Sequence, residues 1–198
     1  MKLWQTILAA AGFAALAQSG AAAAALTVIN VGAPKVNCVF NPICAVVVND
    51  SVGNLTYTPL GAGTFLQSRT YPGQSGTPGA GTTAYEYRID LTQSPNVTDC
   101  LVGLVINFGP VVKLPYGANN AQGQVFVVTQ GGLGSVGIKS AEQDGDVITF
   151  TFDKYLCRGQ TTFFFGLAAH KAPVGTTATM FALGATPFIQ TTARAPQH

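Results

Sequence analysis

Three acidic side chains, Glu142, Asp144 and Asp146, gather around Gly145 in the stretch SAEQDGDVITF, the tightest group of acids in a chain that carries only eight. Carboxylates at this spacing could hold a hard cation such as calcium, or they could trade a proton as a general acid and base. The register argues against a regular calcium loop. An EF-hand wants acids at its first, third and fifth positions and glycine at the sixth, whereas here the glycine falls between two aspartates. Asp144-Gly145 between two runs readable as strands is instead a hairpin signal, because a type I′ turn wants positive φ at both central residues and glycine accepts it freely. An irregular calcium site built from Glu142, Asp144, Asp146 and carbonyls of another loop stays open beside that reading.

Proton-transfer chemistry has little else to draw on. Of the two histidines, His198 is the last residue of the sequence, and His170 lies in AAHKAP at the expected end of an apolar strand. A Ser/His/Asp triad would need His170 as its base, and no G-x-S-x-G elbow accompanies it, so no enzyme is expected. Gly132, Gly134 and Gly137 satisfy G-x-G-x-x-G, but the following residues read as turn and strand rather than as the helix that must receive a pyrophosphate. They are expected to serve a tight loop. Tyrosines offer a different chemistry, since aromatic faces stack on sugar rings while amides bond the hydroxyls. Tyr71, Tyr116, Asn119 and Asn120 are the candidate glycan-binding residues on this alternative, with Gln122 beside them.

Strands must position all of these groups. Ala84 to Leu91, AYEYRIDL, alternates strictly: Tyr85, Tyr87, Ile89 and Leu91 share one face, expected toward the core, and Glu86, Arg88 and Asp90 the other, expected as a solvated ladder. Further strands are expected over 26–31, 45–49, 55–58, 65–70, 101–108, 125–129, 136–140, 147–152, 162–168, 177–183 and 188–192. Gly, Pro, Asn and Asp clusters separate them, which points to an all-β antiparallel sandwich with jelly-roll topology. The segment 71–83, YPGQSGTPGAGTT, reads as a long mobile loop, and 114–124 as a second loop.

The N-terminus MKLWQTILAAAGFAALAQSG has the layout of a secretory signal peptide, with an apolar run from Ile7 to Leu16. Ala15-Leu16-Ala17 suggests a leader of residues 1–17, cleavage as late as 25 being the other choice, followed by one sandwich domain over 26–198. Charged residues are 9% of the chain, far below the roughly 25% of ordinary soluble domains, and the formal net charge is +2. Such a surface has no attraction for nucleic acid, and no membrane span is expected after the leader. Cys38, Cys44, Cys100 and Cys157 allow three pairings, and in an oxidising compartment disulfides are expected, Cys38–Cys44 and Cys100–Cys157 being favoured.

The run VFVVTQGGLGSVGIKSAEQDGDVITFTFDKYLCRGQTTFFFGLAA resembles the C-terminal half of exported bacterial proteins of the PEP-CTERM, choice-of-anchor kind. That resemblance rests on a DGD hairpin, a strand ending in cysteine and an apolar FFFGLA strand in this order. It implies an extracellular β-sandwich tied to the cell envelope or exopolysaccharide matrix, and it carries no catalytic residues. The chain departs from the pattern by ending in TTARAPQH, without the Pro-Glu-Pro sorting motif. The functional expectation is a secreted, non-enzymatic structural or matrix protein, partnered by itself or by envelope glycans and needing no cofactor. A carbohydrate-binding module, with calcium assisting, is the alternative.

Overall fold

The computed structural model describes residues 23–55, 62–95, 100–183 and 189–197. The expected leader, Tyr57 and His198 lie outside them. In chain order the elements are β1 (Ala24–Leu26), β2 (Val28–Gly32), α1 (Ala33–Phe40), β3 (Asn49–Asn54), β4 (Phe65–Pro72), β5 (Thr83–Asp90) and β6 (Leu101–Asn107). There follow β7 (Val125–Gln130), β8 (Ile138–Asp144), β9 (Val147–Leu156), β10 (Phe165–Ala169), β11 (Pro173–Ala182) and β12 (Ile189–Pro196).

These strands form two six-stranded sheets, one in the order β1-β8-β9-β6-β11-β12 and the other β2-β7-β10-β5-β4-β3. β2 runs parallel to β7, and the other named pairs are antiparallel. The expected sandwich is therefore present. Its centre interleaves as a jelly roll does: β10 inserts between β5 and β7 in one sheet, and β6 inserts between β9 and β11 in the other.

Alternation along β5 places Tyr85, Tyr87 and Ile89 between the sheets, fully buried with Leu104, Ile106, Phe150 and Phe165. Tyrosine is tolerated there because each hydroxyl finds an acceptor. Tyr85 Oη donates to the Lys171 carbonyl at 2.7 Å, and Tyr87 Oη reaches the Arg194 carbonyl of β12, in the opposite sheet, at 2.6 Å. Both favoured disulfides form. Cys100–Cys157 links the residue before β6 to the residue after β9, and Cys38–Cys44 ties the last turn of α1 to the turn that follows.

Several expectations are corrected. The outer face of β5 is not solvated: Glu86 lies beneath α1 and its neighbouring segments, whose Val36, Val39 and Phe40 belong to a second apolar cluster, and Asp90 is buried as well. Helix α1 itself was not expected. Proline near its start suits a first helical turn, and Val36, Val39 and Phe40 at i, i+3 and i+4 form its buried stripe. No strand occupies 45–48; β3 begins at Asn49. The segment 26–31 divides after Leu26, so that β1 and β2 join different sheets.

The Gly/Pro-rich segment after β4 is also not a loose connector. Gly73 N–H donates to the Thr82 carbonyl at its neck, and turns at 74–77, 77–80 and 79–82 fill it. Its amides then satisfy the end of α1: Gln74 N–H donates to the Phe40 carbonyl and Gly79 N–H to the Val39 carbonyl, each at 2.8 Å. Only glycine fits at position 79, where an added Cβ would lie 2.6 Å from the Phe40 ring.

The acidic hairpin turns one residue later than the Asp-Gly reading places it. Asp144 pairs with Val147, leaving Gly145 and Asp146 as the two central residues. φ is positive at Gly145, at +56°, and not at Asp146, the type II′ pattern rather than I′.

Candidate functional site

The outer face of the second sheet carries a row of residues in register across all six strands: Asp50, Arg69, Glu86, Gly166, Phe126 and Ile29. Its charged end lies at the floor of a cleft of about 300 Å³. Ala33, Val36 and Asn37 of α1 form one wall, Val46 and Val48 of the following segment a second, and Val128 with Gly131, Gly132 and Leu133 a third. Arg69, Glu86 and Phe164 complete the lining. Short walls of aliphatic side chains around a few polar groups are the ordinary composition of a small-ligand site.

Arg69 and Glu86 face each other across β4 and β5, yet each takes another partner. Arg69 Nε donates to Asp50 Oδ1 at 3.1 Å, and its guanidinium stands 4.1 Å over the Phe164 ring. Glu86 Oε1 accepts from Tyr71 Oη at 2.6 Å. Next along the sheet, Arg88 pairs with Asp90 at 2.8 Å, and Asp90 Oδ1 also accepts from the backbone and hydroxyl of Thr92.

Burial governs the titration of this group. It pushes the Glu86 carboxyl above its ordinary 4.5, and neither the Tyr71 hydrogen bond nor Arg69 offsets it, while Asp50 adds to the rise. Burial likewise holds the Tyr71 and Tyr116 hydroxyls protonated well beyond their usual range, with the Glu86 charge raising both further. Tyr116 Oη is buried and has no hydrogen-bond partner among the described residues. Its ring packs 4.9 Å from Phe126 and 6.3 Å from Phe40, while Phe40 meets Tyr71 edge-on at 5.3 Å.

The tyrosines expected to stack on sugars are thus core residues. Tyr71 is 2% exposed and Tyr116 0%, so neither ring can serve as a stacking platform in this structure. Asn119 and Asn120 are exposed at the tip of 114–123, both in the left-handed region, and among the described residues no open aromatic face accompanies them there. Glu142, Asp144 and Asp146 are exposed along the β8–β9 hairpin, and the Asp146 carbonyl accepts from the backbone of Phe108 and Gly109. Among the described residues no three His, Cys, Asp or Glu side chains come together as a metal site.

His170 is exposed, with Nδ1 3.1 Å from the Gly81 carbonyl oxygen, and among the described residues no carboxylate pairs with it. Gly132, Gly134 and Gly137 lie in the connection from β7 to β8, so the glycine pattern opens a strand and not a helix. Comparison with profiles of known protein families, with curated proteins and with solved structures finds no match to this chain.

Sequence reasoning missed Glu86, Arg69, Asp50 and Phe164 as a site. A signal did exist, in the charged half of AYEYRIDL beside an apolar FFFGLA strand that needs both faces covered. What the alternation could not show is the cover.

Proposed function

We propose that the chain is a secreted, non-enzymatic structural protein of the cell surface or extracellular matrix, and that copies associate through the apolar rim of the cleft. One observation carries this reading: Ile43, Val47 and Leu133 are 79%, 88% and 63% exposed on two segments that supply walls of the same cleft. Large apolar side chains exposed on a surface poor in charge are what a contact between proteins uses. The two disulfides suit an oxidising compartment, and the signal-like N-terminus supports export. Cleavage after Ala17 would keep β1 whole, since β1 begins at Ala24.

The site favours binding over catalysis. All four cysteines are in disulfides, and among the described residues neither Glu86 nor His170 is hydrogen-bonded to a serine or threonine hydroxyl that it could activate. The test is the molar mass in solution by size exclusion with light scattering. Wild type should form dimers or larger species at concentrations up to about 1 mM, which detects contacts as weak as about 4 kcal/mol. The double variant Ile43→Ser, Val47→Ser should be monomeric. A monomeric wild type across that range would sink the proposal.

A further inference from the structure

The cleft over the second sheet has a charge balance that specifies what it can hold. Arg69 is matched by Asp50, and Arg88 by Asp90, so each cation on this face already has its anion. Lys35 of α1 is exposed and does not line the cleft. Glu86 is left over. Its side chain lines the cleft, it is 7% exposed, and among the described residues its only hydrogen-bond donor is Tyr71, on Oε1. Among the described residues no donor reaches Oε2. Around it stand Val36, Val46, Val48, Val128 and Leu133, all aliphatic.

We propose that this cleft binds a small aliphatic ammonium compound, whose charged head meets Glu86 and whose hydrocarbon tail lies among the valines and Leu133. An anionic ligand would place its charge against the buried carboxylate, and an alcohol would leave that carboxylate's charge uncompensated. An ammonium supplies both the countercharge and donors for Oε2, a charge-assisted bond in a place sheltered from water. Arg69 does not compete for Glu86, because its guanidinium is held by Asp50 and over Phe164. The ligand also explains why an acid is retained at the floor of an apolar cleft, where an uncompensated charge is costly. This inference goes beyond the association of copies through the rim and does not rest on it.

The experiment is calorimetric titration of the full protein at pH 8 with n-hexylamine, n-hexanol and hexanoate. Hexylamine should bind, and hexanol and hexanoate should bind about tenfold more weakly or not at all. Glu86→Gln should lose about tenfold or more of the hexylamine affinity. In wild type, which needs no variant to fold, hexylamine affinity should fall as the pH is lowered into the range where Glu86 takes up its proton. Three charged or titratable groups face that carboxyl: Tyr71 and Arg69 from β4, and Tyr116 from the segment before β7; Asp50 of β3 acts on it through its field. No binding of hexylamine, equal binding of hexanol, or unchanged affinity in Glu86→Gln together with a flat pH profile would each overturn the proposal.

Discussion

A carboxylate set opposite an arginine in a β-ladder ordinarily pairs with it, but Glu86 instead accepts from Tyr71 and among the described residues is in no ion pair. Because burial raises its pKa above that of the unfolded chain, the folded state holds the proton more tightly. Its contribution to stability is thus complete at pH values below the ordinary carboxylate range and is lost as pH rises through the folded pKa. Glu86→Gln is therefore expected to melt higher than wild type at pH 8, with the difference closing toward pH 4, as measured by thermal unfolding across a pH series. A wild-type advantage at pH 8 would contradict the desolvation argument. Tyr87 gives a second test at this scale. Tyr87→Phe removes the donor to the Arg194 carbonyl while keeping the ring, and should cost about 1 kcal/mol in denaturant unfolding.

The elements differ in how they are fastened. Cys100–Cys157 closes a separation of 57 residues and Cys38–Cys44 one of only 6. On chain entropy alone, replacing the first pair by serine should cost roughly 4 kcal/mol and the second about 2, a ranking that urea unfolding of the two double variants would check. Gly79→Ala addresses the clamp between the Gly/Pro-rich segment and α1. Its methyl would press on the Phe40 ring, and a loss of about 1 to 3 kcal/mol is expected, read as a lower melting temperature. The strand Thr83–Asp90 was legible to within one residue at each end, as 84–91, because a period of two sorts tyrosines from charges whatever lies on either side. What covers the outer face of that strand was not legible. Helix α1 spans only eight residues, too few for a helical period to declare itself, and the glycines that clamp it carry the composition of a free loop. The charged row was consequently visible as residues and invisible as a buried floor.

At the scale of the whole molecule, the question is which surface remains available to other copies. A sheet edge ordinarily invites strand addition, but β3 is blunted from the opposite sheet. Arg194 of β12 donates to the carbonyls of Asn49 and Asp50, and Thr191 Oγ1 donates to the carbonyl of Asn54. Association should therefore respond to the rim and not to this edge. Val52→Lys, at a site 55% exposed on β3, should leave the molar mass in solution unchanged, whereas Val47→Lys should reduce it. The opposite result would place the contact at the edge. The division of the N-terminal segment has a further bearing on how the molecule comes into being. β1 and β2 are separated by Thr27 alone, yet they join different sheets, with Ala24 opposite Gln143 and Val28 opposite Val125. As the chain is synthesised, these first strands must wait for partners about a hundred residues downstream, and only then do they tie the edges of both sheets together. Until then the places beside β7 and β8 stay open, so closure of each sheet at that edge depends on contacts of long sequence separation.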